Sequence, residues 1–176
     1  SSPTIAIAAQ FTTDQDPAIA LSASNADSMK ITLDTAAGAW KAYTTSDSIN
    51  LGTEGFKRVY VQYKDLTGNK TAWIYDSVTY DVTAPGSPTI AIAPDYTQDI
   101  DPKATLSATG ADSMRLGLAA DTAAAAWKVY ATSDSVNLGS EGFKRVFVQY
   151  KDKAGNRTAW IYDSVTYDIS APTAPT

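Results

Sequence analysis

Aspartate supplies almost all of the acidic side chains in this sequence. Of its 19 acidic residues, only Glu54 and Glu141 are glutamates. Several aspartates stand close together in polar segments, and clustered carboxylates with backbone carbonyl groups are the oxygen ligands that Ca²⁺ prefers. The candidate Ca²⁺ ligands are Asp14, Asp16, Asp81, Asp99, Asp101 and Asp168. Asp81 lies near the middle of the chain, where an ion shared between two domains would stiffen their junction.

Aspartate is also a turn-forming residue, which gives these positions a structural alternative. Its short side chain hydrogen-bonds nearby backbone amides and so favours turns and loops. The spacings of an EF-hand loop and of calcium-binding nonapeptide repeats are missing from the sequence. We therefore expect turn formers and solubilising surface charge, with no cofactor, and Ca²⁺ binding stays open as the alternative.

Aromatic side chains offer a second kind of chemistry, because flat rings stack on sugar rings. Tyr60, Trp73, Tyr75 and Tyr80 follow one another closely enough to form a platform. The candidate binding residues are Trp73, Tyr75 and their copies Trp160 and Tyr162. The alternative, which we favour at this stage, places Trp40 and Tyr63 in the core and the remaining rings beneath loops or over sheet edges.

Catalysis finds little support in the composition. The chain contains no cysteine and no histidine, which excludes disulfides, thiol nucleophiles, histidine-based triads and the usual zinc ligands. Paired carboxylates can perform acid–base chemistry, but no pattern places two of them in a cleft. We predict no catalytic residues and no enzyme activity.

The charge balance and the hydropathy exclude two classes of partner. Fourteen basic residues against 19 acidic ones give a net charge of −5, and no basic cluster occurs along the sequence to neutralise phosphates. We therefore predict no nucleic-acid partner. No apolar run approaches the roughly 20 residues that span a membrane, so we expect no membrane insertion by this segment, and no signal peptide is present.

A repeated hairpin pattern must position the candidate side chains. Residues 52–81 return as residues 139–168 with differences at only 5 of 30 positions. Val59, Val61 and Tyr63 alternate with more polar residues, as in a strand with one face in a core. A tight turn is predicted next, because aspartate bonds its own backbone and glycine adopts positive φ. Its residues are Asp65, Gly68 and Asn69 in the first copy and Asp152, Gly155 and Asn156 in the second.

Further short strands complete each repeat. In the first repeat the apolar alternation predicts strands over residues 2–8, 19–23, 29–33, 40–43 and 48–51 before the hairpin, whose second strand is 71–80, and a loop over 34–38. The predicted core is Ile5, Ile7, Ile19, Leu21, Met29, Ile31, Leu33, Val59, Val61, Tyr63 and Val78. Within the last strand, Trp73/Tyr75 and Ile74/Val78 compete for the inner face, and a bulge would serve both.

These patterns predict an all-β chain of two tandem β-sandwich domains, with about seven antiparallel strands in each. The domains are residues 1–85 and 86–172. The second has a two-residue insertion, Ala119-Ala120, in a loop. Residues 173–176 are predicted to begin a linker or a further repeat, because Pro175-Thr176 matches Pro3-Thr4 and Pro88-Thr89 at the start of the two repeats.

The hairpin also resembles a known family. Residues 54–69, EGFKRVYVQYKDLTGN, followed by residues 76–85, DSVTYDVTAP, are similar to the bacterial Ig-like repeats of large secreted and cell-surface proteins. The resemblance covers both repeats. It implies Ig-like or fibronectin III-like sandwiches strung in tandem as spacers or adhesive stalks, located outside the cell, whose partners are neighbouring repeats of the same parent chain. Trp73 and Tyr75 make their strand more aromatic than the family pattern.

Two functions follow from these observations. The leading one is a structural and interaction module, a spacer or adhesive stalk of a larger bacterial extracellular or surface protein. The alternative is a binding module that holds surface polysaccharide or a protein through exposed aromatic residues. Exposure of Trp73, Tyr75 and their copies distinguishes the two, since buried rings favour the spacer.

Overall fold

The computed structural model describes residues 2–33, 38–118 and 125–173. The chain divides into two compact units, Ser1–Val82 and Thr83–Thr176, so the boundary lies three residues before Pro85. All regular secondary structure in the described ranges is β-strand, which confirms the all-β prediction. None of those ranges contains a helix long and apolar enough to cross a membrane. The loop predicted at 34–38, apart from Gly38, the insertion Ala119-Ala120 and residues 174–176 lie outside the described residues.

The first unit encloses its core between a three-stranded and a five-stranded sheet. Its strands are β1 (Thr4–Ile7), β2 (Phe11–Thr12), β3 (Ala18–Ser22), β4 (Ser28–Thr32), β5 (Lys41–Ala42), β6 (Ser46–Ser48), β7 (Gly55–Lys64) and β8 (Ile74–Tyr80). The sheet orders are β1-β3-β6 and β2-β8-β7-β4-β5. All pairings are antiparallel except that of β2 with β8, which is parallel.

The second unit repeats this arrangement. Its strands are β9 (Gly86–Ile92), β10 (Tyr96–Thr97), β11 (Lys103–Thr109), β12 (Ser113–Gly117), β13 (Lys128–Val129), β14 (Ser133–Ser135), β15 (Gly142–Lys151) and β16 (Ile161–Tyr167). The sheet orders are β14-β11-β9 and β10-β16-β15-β12-β13, and β10 pairs with β16 in parallel. Near-identical sequences have therefore produced the same topology twice.

Each core is built from the alternating residues of the two sheets. In the first unit, the buried apolar side chains are Ile19, Leu21, Met29, Leu51, Val59, Val61, Tyr63 and Val78. Ile5, Ile7, Ile31 and Leu33, which were predicted to be core residues, are only partly buried against it. They lie on the short first strand and along β4, where solvent reaches the rim of the sandwich.

The last strand resolves the competition for its inner face. Val78 is buried and Ile74 packs against the core, while Tyr75 is exposed. The register of β7 with β8 runs without a shift from Gly55↔Tyr80 to Val61↔Ile74, so no bulge is present in this pairing. Tyr75 therefore lies on the opposite side of the sheet from the core, and Trp73 is the residue before the strand.

Three strand predictions need correction. The fifth strand was placed at residues 48–51, but β6 covers Ser46–Ser48, and Leu51 follows it as a fully buried loop residue. Strand β2 was missed, since two residues are too few for an alternation to show. Trp40, expected in a strand and in the core, precedes the short β5 and is only partly buried.

The hairpin connection is longer than the tight turn that was predicted. Strand β7 ends at Lys64 and β8 begins at Ile74. The backbone N–H of Asp65 donates to the carbonyl oxygen of Asn69 at 3.0 Å, and a bridge joins Lys64 to Lys70. Thr71 then pairs with Tyr63 through both its backbone and its hydroxyl. Residues 65–71 are thus paired in the connection itself, and β8 begins only at Ile74.

Candidate binding face on the five-stranded sheet

The outer side of the five-stranded sheet collects aromatic and cationic side chains. Strand alternation directs the inner residues of β4, β7 and β8 to the core and the others outward. We call the resulting surface the cationic–aromatic face. In the first unit its residues are Lys30, Trp40, Phe56, Arg58, Tyr60, Lys64, Lys70, Trp73 and Tyr75, and in the second Arg115, Trp127, Phe143, Arg145, Phe147, Lys151, Arg157, Trp160 and Tyr162.

Trp40 forms the centre of a lysine cluster in the first unit. The Nζ atoms of Lys64, Lys30 and Lys70 lie 4.6, 4.9 and 5.7 Å from the centroid of its ring. Lys30 comes from β4, Lys64 from the end of β7 and Lys70 from the hairpin connection, so three segments converge on one indole. A cation within about 6 Å of an aromatic centroid is attracted by the negative face of the ring.

Trp127 takes the same position in the second unit with a different mixture of cations. Lys151 Nζ lies 4.4 Å from its centroid, and the Cζ atoms of Arg115 and Arg157 lie at 4.8 and 5.4 Å. Two of the three lysines around Trp40 are thus replaced by arginines. The positive charge at this position is the same in both units.

Arg115 is placed between two tryptophans. Its Cζ lies 4.8 Å from the Trp127 ring centroid and 4.7 Å from that of Trp160. The guanidinium donates to Gln149 Oε1 from Nη2 at 2.8 Å and from Nε at 3.1 Å. Gln149 in turn donates to the carbonyl oxygen of Thr158 at 2.8 Å. Because planar contacts and hydrogen bonds both fix the guanidinium, this cation is held in one orientation before any ligand arrives.

A second aromatic–cationic group lies further along the same face. Arg58 Cζ is 5.6 Å from the Phe56 ring centroid and 5.5 Å from that of Tyr75, and the rings of Tyr60 and Tyr75 are 5.4 Å apart. In the second unit, Arg145 Cζ lies 5.0 Å from the centroid of Tyr162. Tyr75 and Tyr162 are exposed at 55% and 52%, whereas Tyr60 and Phe147 are partly buried.

In both units, the outward positions of the three central strands, all within the described ranges, contain no acidic residue. The outward positions of β4, β7 and β8 are Ser28, Lys30, Thr32, Phe56, Arg58, Tyr60, Gln62, Lys64, Tyr75, Ser77 and Thr79. The corresponding positions of β12, β15 and β16 likewise contain no Asp or Glu. In a protein with a net charge of −5, these outward strand positions of each unit thus carry basic residues and no acidic ones.

The structure separates the aromatic residues that the sequence singled out. Tyr60 and Tyr75 lie on the cationic–aromatic face, as do Trp160 and Tyr162, and Trp73 holds the position of Trp160 just before β8. Tyr80, the fourth member of the platform predicted from sequence, points the other way and packs against the core. Trp40 joins the face although it was assigned to the core, because its ring covers the end of β4 beside the lysines.

The aspartates considered as Ca²⁺ ligands serve mainly their own loops. Asp14 Oδ1 accepts from the backbone N–H of Asp16 at 2.9 Å, and Asp99 does the same for Asp101. Asp168 Oδ1 accepts from the backbone N–H of Ser170 at 2.9 Å, whereas the backbone N–H of Asp81 donates to the carbonyl oxygen of Thr12 at 3.0 Å. Within the described ranges, no three carboxylates form a group that could hold a metal ion.

The hairpin turn is organised by one carboxylate. Asp65 Oδ1 accepts from the backbone N–H groups of Thr67 and Asn69, each at 2.9 Å, and Oδ2 accepts from Asn69 Nδ2 at 2.9 Å. Hydrogen bonds from the side chains of Asn69 and Thr67 lower the pKa of the Asp65 carboxyl to about 2. Gly68 has a φ of 93°. These contacts occupy the carboxylate within its own turn, so it stabilises the hairpin.

The second unit builds the same turn with partly different contacts to its carboxylate. Asp152 Oδ1 accepts from the backbone N–H groups of Gly155 and Asn156 at 2.8 and 2.9 Å, and Gly155 has a φ of 99°. Ala154 replaces Thr67, so the hydroxyl that bonds Asp65 in the first unit is lost here. The glycine and the asparagine perform the same task in both turns.

The lysine–tryptophan clusters were missed at the sequence level for a physical reason. Lys30, Trp40, Lys64 and Lys70 are dispersed over about 40 residues of chain, so no basic run appears in the sequence. The strand order β7-β4-β5 brings them together. The alternation of Arg58, Tyr60, Gln62 and Lys64 on one side of β7 was the available signal, since it marks an outer face without acids.

Three solved structures give the fold context. The fibronectin(III)-like modules of CbhA from Clostridium thermocellum match with a TM-score of 0.57 and 10% identity, over 99% of this chain and 100% of that chain. The FN1–FN3 domains of chicken CNTN1 give 0.48 and 11%, over 92% and 66%. SGBP-B of Bacteroides ovatus, in complex with a mixed-linkage heptasaccharide, gives 0.34 and 16%, over 97% and 48%. The sequence matches no protein-family model and no curated protein sequence.

The likeness to the CbhA modules concerns the fold. It shows that the chain consists of tandem fibronectin III-like, Ig-like sandwiches, as the hairpin resemblance implied. The sheets β2-β8-β7-β4-β5 and β1-β3-β6 give the first unit eight strands in two sheets, which is this sandwich architecture.

Proposed function

We propose that this chain is a non-catalytic structural and interaction module, a spacer or adhesive stalk within a larger bacterial extracellular or surface protein. The observation that carries the proposal is the direction of the chain through each unit. Strand β2 runs parallel to the last strand β8, with Phe11 beside Thr79 and Thr12 beside Tyr80. Ile7 donates its backbone N–H to Asp76 Oδ2 at 2.7 Å, so β1 follows the same direction.

Parallel first and last strands place the two ends of a unit at opposite ends of the sandwich. The chain enters beside the start of β8 and leaves where β8 ends. A unit whose two ends lie at opposite ends of its sandwich has the property that a spacer needs. A fold whose termini lay side by side would add little to the distance between the units before and after it.

Distance measurement inside one unit tests this role. The chain has no cysteine, so Ser2→Cys with Asp81→Cys gives two unique labelling positions for fluorescence energy transfer in the full chain. We expect a separation of roughly 25 Å or more, from the extended residues 4–12 at about 3.3 Å each. A separation below about 15 Å would contradict the spacer geometry. Labels at Ser2 and Leu66 provide a reference pair within the same unit.

The second candidate function is carbohydrate binding, and the exposure of Tyr75 and Tyr162 favours it. Both rings are more than half exposed, and they belong to a face that also presents Trp40 and Trp127. Exposed aromatic rings on a flat sheet offer stacking surfaces to sugar rings. We expect Tyr75→Ala with Tyr162→Ala to abolish retention on a glycan array, while Val129→Ala, at another exposed apolar position, leaves retention unchanged.

A further inference from the structure

We propose that a lysine–aspartate pair on one side of each sandwich prevents that side from adding a strand of a second copy of this chain. The pairs are Lys41 with Asp47 in the first unit and Lys128 with Asp134 in the second. The inference concerns the edges of the sheets, so it is independent of the spacer role and of carbohydrate binding. A chain of near-identical units needs such protection, because every unit presents the same strand edges.

One side of each unit ends in two short strands, one from each sheet, and we call it the open side. Its strands are β5 and β6 in the first unit and β13 and β14 in the second. On the opposite side a carboxylate ties the two sheets together, since Asp76 Oδ2 accepts from the backbone N–H of Ile7 at 2.7 Å, and Asp163 does the same for Ile92. A strand from another chain therefore finds its template on the open side.

The charged side chains of the open side point into the sandwich. Lys41 stands opposite Met29 in the ladder, and Asp47 stands opposite Ile19. Both of these partners are core residues. Residues directly opposite each other in an antiparallel pair lie on the same face of the sheet. The lysine of one sheet and the aspartate of the other therefore meet across the gap between the sheets.

The second unit repeats this arrangement, with Lys128 opposite Met114 and Asp134 opposite Ala104. Burial lowers the pKa of the Lys128 ammonium group below its usual value, as expected for a charge that has lost part of its water. The side chain of Lys128 nevertheless remains 45% exposed and that of Asp134 25% exposed. Water therefore still reaches the ion pair from the open side.

This remaining hydration is what an added strand would remove. A further strand beside β13 extends the five-stranded sheet over the gap, so it covers Lys128 and takes the ammonium group out of water. Dehydrating a charge opposes association unless new partners replace the lost water. An uncharged pair at the same positions does not carry this cost. The charges therefore act against strand addition, while a half-exposed ion pair contributes little to stability.

The edge beside Lys128 is otherwise suited to pairing. Tyr130 donates its backbone N–H to the carbonyl oxygen of Asp112 at 2.9 Å, so strand alternation directs the N–H and C=O groups of Val129 away from β12. The side chain of Val129 is 83% exposed, and β-branched residues favour strands. In the first unit Ala42 takes this position. The second unit therefore depends more strongly on its ion pair than the first.

Sedimentation of the full chain over a concentration series tests the inference. Lys128→Met with Asp134→Asn removes both charges and leaves the net charge unchanged. The asparagine keeps the acceptor that Asp134 Oδ1 offers to the backbone N–H of Ser135. We expect self-association at least tenfold stronger than in the parent chain, because roughly two hydrogen bonds between edges form without a dehydration cost.

Two further variants locate the association. Val129→Pro, added to Lys128→Met with Asp134→Asn, removes the outward N–H group of the edge and should restore the behaviour of the parent chain. Lys103→Met with Asp101→Asn makes the same change of charge at the start of β11, which is the central strand of its sheet. This control should sediment as the parent chain does.

The first unit provides a graded comparison. Lys41→Met with Asp47→Asn removes the equivalent pair, but its edge carries Ala42 where the second unit has Val129. We expect a smaller increase in self-association than in the second unit. An equal or larger increase would contradict the role given to the Val129 edge.

Melting curves separate edge pairing from loss of the fold. We expect Lys128→Met with Asp134→Asn to melt close to the parent chain, because losing a half-exposed ion pair costs little. Unchanged sedimentation of this variant would overturn the inference, as would association that persists with Val129→Pro or appears equally in the Lys103→Met control. Loss of the folded state here and in the milder Lys128→Gln with Asp134→Asn would also overturn it, because the pair would then serve folding itself.

Discussion

The hydroxyl of Tyr63 donates a hydrogen bond of 2.7 Å to the carbonyl oxygen of Thr4. The contact joins β7 of the five-stranded sheet to β1 of the three-stranded sheet, across the core of the first unit. Tyr150 and Thr89 repeat it at 2.6 Å in the second unit. Burial, followed by the adjacent Tyr43 ring, raises the pKa of the Tyr63 hydroxyl to about 12, and burial followed by Tyr130 does the same for Tyr150.

These raised pKa values predict alkaline unfolding. A tyrosine whose pKa is higher in the folded than in the unfolded chain contributes its full stability below the unfolded value of about 10. That contribution is lost as the pH rises toward 12. We expect the free energy of unfolding of each unit to fall by roughly 2 kcal/mol between pH 10 and pH 12, measured by urea titration at fixed pH.

Tyr63→Phe is the control for this pH dependence. The variant loses the hydrogen bond to Thr4 and should be less stable at neutral pH by about 1 kcal/mol. The decrease of stability in the first unit between pH 10 and 12 should then become smaller, because Phe does not ionise. Identical pH profiles for Tyr63→Phe and the parent chain would assign alkaline unfolding to other groups.

A side chain at Gly68 in the hairpin turn should destabilise the first unit through its backbone conformation and not through a steric clash. A Cβ at Gly68 would meet no heavy atom within 4 Å, so the cost of a side chain arises from its φ of 93°. We expect Gly68→Val to destabilise the first unit by about 1–3 kcal/mol in denaturant unfolding. Gly86→Ala, at a glycine without positive φ, should change stability little. Equal effects at both positions would refute the backbone explanation.

The buried loop residue Leu51 predicts a large loss on truncation. Its side chain is fully buried among the core residues although it belongs to no strand. We expect Leu51→Ala to lower the free energy of unfolding of the first unit by about 2–5 kcal/mol, from lost burial and the cavity left behind. Leu66→Ala is the matched control, since Leu66 is 86% exposed, and its effect should be within about 0.5 kcal/mol.

Calcium should leave the melting curve unchanged. Asp14 and Asp99 each accept a hydrogen bond at Oδ1 from the backbone of their own loop, as turn-forming aspartates do. We expect the same melting temperature in millimolar Ca²⁺ and in excess chelator, measured by circular dichroism. A shift of several degrees that disappears in Asp81→Asn would instead establish a metal-stabilised junction.

Strands could be predicted from the sequence where the apolar alternation is long, and the prediction failed where it is short. The ten residues of β7 reveal both faces of the sheet, so Val59, Val61 and Tyr63 were placed correctly. Strand β2 has only two residues, and its pairing with β8 joins distant segments, so no local pattern marks it. Leu51 is buried through the closure of a loop, which hydropathy alone does not distinguish from a strand.

The candidate site was predictable only in part, because it depends on strand order. Tyr75 and Trp73 were singled out for their aromatic character, and the structure places Tyr75 on the outer face and Trp73 just before β8. The lysines around Trp40 come from three separate segments that meet only after the sheet has formed. A bulky tryptophan is usually assigned to a core. Here the stems of the long cationic side chains cover its ring in place of core residues.

The parallel pairing of β2 with β8 has a mechanical consequence. Tension applied through the two ends of a unit pulls β2 and β8 in opposite directions along their length, so it loads the hydrogen bonds from Thr79 N–H to Gln10 and from Asp81 N–H to Thr12 together, in shear. The second unit has the equivalent bonds from Thr166 to Asp95 and from Asp168 to Thr97. Bonds that share a load must break at the same moment, whereas bonds at the end of an unzipping hairpin break one after another. Each unit is therefore expected to resist stretching until the hydrogen bonds between its two parallel strands break together.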